Sequence, residues 1–109
     1  MISLALVTAM TLAAAQADPT VLPRKTFASC LSAFKKNGIK EKVEPAAFSA
    51  SAKTACEAEA AALKKALVSL DMSRGGKRAE AESNADFDIR GYRENMEESY
   101  KDHFAPAPE

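Results

Sequence analysis

Four groups of side chains in the sequence are of types that could do chemistry. Cys30 and Cys56 are the only cysteines, Glu59 is a carboxylate set among apolar helical positions, His103 is the single histidine, and Arg74, Lys77 and Arg78 gather around Gly75-Gly76. The cysteines are too widely spaced for a Cys-x-x-Cys redox centre, in which a helix start lowers the pKa of the attacking thiol. An even pair in an exported chain reads instead as a structural disulfide. Closing a loop of that length stabilises a fold by roughly 3–4 kcal/mol, a large share of what a small domain holds.

Glu59 falls one turn beyond Cys56 on the same helical arc, where an unpaired buried carboxylate would cost several kcal/mol. Arg90, Arg93 and the Tyr92 hydroxyl stand at the facing height, so a buried pair with one of them is expected. A carboxylate tuned for acid chemistry or ligand contact is the functional counterpart; a salt bridge that fixes helix register is the reading preferred here. His103 would need a nucleophile and an orienting group beside it to act as a base. At a helix end before a Pro-rich tail neither is held, and an aromatic contact with Phe48 is expected. Gly-Gly before a helix can cradle an anion, but no Walker-type Lys-Ser/Thr follows, so the basic trio reads as a solvated turn. One His and two Cys fall short of the four ligands of a self-contained zinc site. No catalytic residue, metal site or cofactor is expected, and the chain reads as non-enzymatic.

The elements that must position these residues are all helical. Pro23 suits a first helical position, and Phe27, Cys30, Leu31 and Phe34 follow at i, i+3, i+4 and i+7. Gly38 suits the left-handed position of a C-cap with Ile39 folding back on Phe34, which predicts a first helix over 23–37. Pro45 opens a second candidate, with Phe48, Ala52, Cys56, Leu63, Ala66, Leu67 and Leu70 on one stripe. High Ala content favours one long helix over 46–74, ended by Gly75-Gly76. The stripe resumes as Ala81, Ala85, Ile89, Tyr92, Met96 and Tyr100, predicting a third helix over 77–104, with Gly91 as a weak point. Phe87 lies off that stripe, free for helix one or an external partner.

The short Gly turn makes the two long helices antiparallel, so that Leu70 should face Ala81, Leu63 face Asp88 or Ile89, Cys56 face Asn95 or Met96, and Phe48 face His103. The expected fold is all-α: a long antiparallel helical hairpin with a shorter N-terminal helix packed on one end, a three-helix bundle held by one disulfide. The turn end, with two helices only, should be mobile or should receive a second copy.

Length and charge narrow the function. The chain has 109 residues, with 15 Lys+Arg against 15 Asp+Glu and a formal net charge of +0, enough for one small domain. A nucleic-acid binder would carry a basic excess, so no nucleic-acid partner is expected. Residues 2–15 are uncharged and almost wholly apolar, ending at Ala15-Gln16-Ala17 before Asp18-Pro19. That run is short of the ~20 residues needed to span a bilayer and reads as a signal peptide, residues 1–17, cut after Ala17. A helical domain over 18–104, a disordered tail over 105–109 and no membrane association after cleavage follow.

Size and a single late histidine resemble the small periplasmic haem bundles whose axial ligands are a Met and a late His. No Met stands early in the mature chain, however, no fourth helix is expected, and Cys-x-x-Cys-His is missing. The preferred reading is an exported helical protein of the periplasm, or a secreted one, acting through protein–protein contacts with a protein partner or as a homodimer. The alternative is a small-ligand, metal or haem carrier using Glu59 or His103.

Overall fold

The computed structural model describes residues 18–104; the expected signal peptide and the expected disordered tail lie outside the described residues. Four helices follow one another: α1 (Val21–Lys40), α2 (Pro45–Ala52), α3 (Glu57–Ser73) and α4 (Arg78–Phe104), with no strand among the described residues. The all-α class and the disulfide are as the sequence predicts. One difference matters: the helix expected over 46–74 is two helices, α2 and α3.

Thr20 sits buried at the start of α1, where its N–H and hydroxyl both donate to the Asp18 carboxylate at 2.9 and 2.6 Å. The helix continues through Gly38, which does not cap it. The cap falls one turn later as a Schellman motif: Lys42 N–H donates to Ile39 O at 3.1 Å, and Val43 N–H to Gly38 O at 3.0 Å. The left-handed position belongs to Lys42, at φ 54°. Gly38 serves a different need, close approach. A Cβ there would stand 2.9 Å from the Phe48 ring and 3.1 Å from that of Tyr100.

Pro45 opens α2 at its first turn, after Glu44. The chain leaves helical geometry at Lys53–Cys56, and Cys56 enters α3 as its N-cap in the left-handed region, at φ 59° and ψ 44°. α3 ends in a second Schellman motif, with Gly75 at φ 90°, Gly75 N–H on Met72 O at 3.1 Å, and Gly76 N–H on Asp71 O at 2.9 Å.

The α3–α4 hairpin keeps close to the expected register. Lys64 pairs with Asp86 at 2.9 Å, and Leu63 shares a core cluster with Ile89. α1 runs parallel to α4, since Arg24 stands at the height of Asp88 and Lys35 bonds Ser99. Two cores result. The main one unites Phe27, Leu31, Phe48, Leu63, Ile89, Met96 and Tyr100 from all four helices. Towards the Gly turn only Val68, Ala81 and Ala85 are buried, with Leu67 at their edge.

Candidate functional site

Cys30 and Cys56 are bonded, with Cα atoms 6.1 Å apart, and no cysteine is free among the described residues. The bond ties the middle of α1 to the start of α3. Glu59 lies one turn on, as its spacing requires, and a carboxylate oxygen stands within 4.8 Å of both sulfurs. The sulfurs are spent on each other, which leaves Glu59 as the anionic donor of that group among the described residues, and the donor set does not match a thiolate metal site.

The expected pairing of Glu59 with Arg90, Arg93 or Tyr92 is not made. Arg93 donates from Nη2 to Ala55 O at 2.8 Å, with its guanidinium 5.6 Å above the Phe27 ring. It thereby takes up a carbonyl that the break between α2 and α3 leaves without a helical partner. Its Nε is buried and has no hydrogen-bond partner among the described residues. The Tyr92 hydroxyl accepts from Arg24 Nη1 at 3.3 Å, and Arg90 is exposed. Glu59 is half-buried and makes no hydrogen bond or ion pair among the described side chains. It rests among alanines, Ala60 and Ala55 being buried beside it in sequence, and solvent reaches it.

His103 does not meet Phe48. It is exposed and stands edge-on to Phe104 with ring centroids 5.2 Å apart. Phe48 stacks instead on Tyr100, one turn earlier on α4. The Tyr100 hydroxyl donates to Val43 O at 2.5 Å and lies 3.1 Å from Gly38 O. Burial, and then the Glu44 carboxylate, push its pKa up. An apolar stripe position carries no signal in the sequence for this lock on the α1–α2 connector. Arg24 is a second such residue, outside every stripe and motif of the sequence. It binds Tyr92 and Asp88 together, the latter at 3.2 Å, and the Tyr92 hydroxyl followed by Asp88 holds its guanidinium above the ordinary value.

The interior polar groups thus serve architecture. A groove of about 430 Å³ lies between α3 and α4, beside the start of α1. Leu67, Leu70, Ala81 and Ala85 form its apolar lining, and Phe87, 72% exposed, stands at its edge. Arg24 and Asp88 line it at one end, Asp71 and Arg74 at the end near the Gly turn.

Fold and site together define a disulfide-pinned helical bundle. Compared with known proteins, the chain matches no family model, no curated protein and no solved structure.

Proposed function

We propose that the chain is an exported, non-enzymatic helical protein that works through protein–protein contacts in the bacterial periplasm. The observation that carries this reading is the Cys30–Cys56 bond, which joins two helices within the main core and belongs to an oxidising compartment. The apolar segment 2–15 and the small-x-small sequence before Asp18 supply the export signal. No helix among the described residues is long and apolar enough to cross a membrane. Recognition by surface contact is supported by the assignment of Arg24, Arg93 and Tyr100 to structural bonds, and by a groove with an apolar lining and charged ends.

Intact-mass measurement on periplasmic and cytoplasmic fractions tests the address. The expected species is periplasmic, begins at Asp18 and lacks two thiol hydrogens. A cytoplasmic protein that retains residues 1–17 with both thiols reduced would refute it.

A further inference from the structure

We propose that the turn between α3 and α4 is a processing site for a protease of Lys/Arg specificity, and that the cut leaves α4 seated but without a covalent link to the rest of the molecule. The chemistry is hydrolysis: water adds across the Arg74–Gly75 or Lys77–Arg78 peptide bond, leaving a carboxylate on one side and an ammonium on the other. A protease with a carboxylate in its S1 pocket takes Lys or Arg there. Arg74, Lys77 and Arg78 are all exposed around the two glycines.

Among the described residues three stretches join one helix to the next, 41–44, 53–56 and 74–77, and each offers such a side chain. Two are tied to distant parts of the fold. The Tyr100 hydroxyl donates to Val43 O and holds the stretch with Lys42. The bond from Cys56 to Cys30 and the Arg93 contact with Ala55 O hold the stretch with Lys53. The third has local backbone bonds only, such as Gly75 N–H to Met72 O and Gly76 N–H to Asp71 O. Arg74, Lys77 and Arg78 make no side-chain hydrogen bond or ion pair among the described residues, and Arg74 acts on the Asp18 carboxylate only through space.

Cutting also requires the chain around the bond to open, and here opening costs least. No residue from 69 to 80 is buried, and the nearest core is the small cluster of Val68, Ala81 and Ala85. Few buried apolar contacts and exposed backbone mark segments of low local stability, and exposed tips of small residues are where chains are nicked. The disulfide sets the consequence. Both cysteines lie before the cut, so their bond pins α1 to α3 and leaves α4 outside it. Ile89, Met96 and Tyr100 in the main core, with Arg24 on Tyr92 and Arg93 on Ala55, then hold α4 without covalent help.

Brief treatment of the intact oxidised protein with trypsin, read by intact mass and native size-exclusion chromatography, tests this. The expected first products end at Arg74, Lys77 or Arg78, elute together as one particle, and separate in urea without a reductant. Arg74→Gln, Lys77→Gln and Arg78→Gln combined should slow the loss of intact chain by about tenfold at unchanged helix content, since cutting tracks the population of the open form. Lys42→Gln and Lys53→Gln should each leave that rate as in the parent. A parent that is not cut, or is cut first at another lysine or arginine, overturns the site, as does a triple variant lost as fast as the parent. A cut protein that sheds α4 at once under native conditions overturns the seated two-chain form.

Discussion

The Phe48 ring lies flat against Tyr100, with centroids 3.5 Å apart and 3° between the planes, and the missing side chain of Gly38 makes room for both. Replacing Gly38 by Ala should drive a methyl group into two buried rings and lower stability by about 1–3 kcal/mol, as overpacking does. Urea denaturation checks this; a loss within ordinary surface scatter would mean that the rings shift freely.

Lys42 occupies the left-handed position that glycine takes without steric cost. Lys42→Gly should therefore raise stability by about 0.5–1 kcal/mol, while Gly75→Ala, at φ 90°, should lower it by a similar amount. Thermal melts of the two variants should move in opposite directions.

Arg93 and Glu59 make a contrasting pair. Arg93→Ala removes a charged donor from Ala55 O and should cost about 1.5–3 kcal/mol. Glu59→Gln removes no ion pair and should stay within about 0.5 kcal/mol of the parent. Equal melting losses in the two variants would show that Glu59 is paired in solution.

Stability should fall at both pH extremes for identifiable reasons. The Thr20 hydroxyl and N–H hold the Asp18 carboxyl below its ordinary 3.8, so its contribution is present above that value and is lost as the pH drops through the lowered one. Tyr100 behaves oppositely. Burial raises it above 10.0, so its contribution is complete below that value and is lost as the pH climbs through the raised one. Asp18→Asn should flatten the acid limb of a stability–pH curve, and Tyr100→Phe the alkaline limb.

Replacing both cysteines by serine should lower unfolding stability by roughly 3–4 kcal/mol, read from urea midpoints. A loss much smaller than this would mean that the unfolded chain is already held compact without the bond.

The helices and their apolar stripes were legible because the period of Ala81, Ala85, Ile89, Met96 and Tyr100 is the period of the element itself, and all five are buried. The break at Lys53–Cys56 was not, for a related reason. Phe48, Ala52 and Leu63 all face the same core, so the stripe passes through the break without interruption. No Gly or Pro marks it; Cys56 adopts a left-handed conformation where the bond to Cys30 and the Arg93 contact with Ala55 hold the chain. Gly38 serves close approach and not the expected left-handed cap, because sequence alone does not separate a left-handed φ from a close approach. The Glu59 pairing failed since height along a helix does not tell which of several arginines has a nearer carbonyl to serve.

The parallel alignment of α1 with α4 rests on contacts between distant parts of the chain. Arg24 finds Tyr92 across 68 positions of chain, and Lys35 finds Ser99 across 64. Such contacts carry a loop-closure cost, whereas the hairpin can zip from its glycine turn by local contacts alone. The amino-terminal rod is therefore fully seated only when α3, through the Cys30–Cys56 bond, and α4 are both in place.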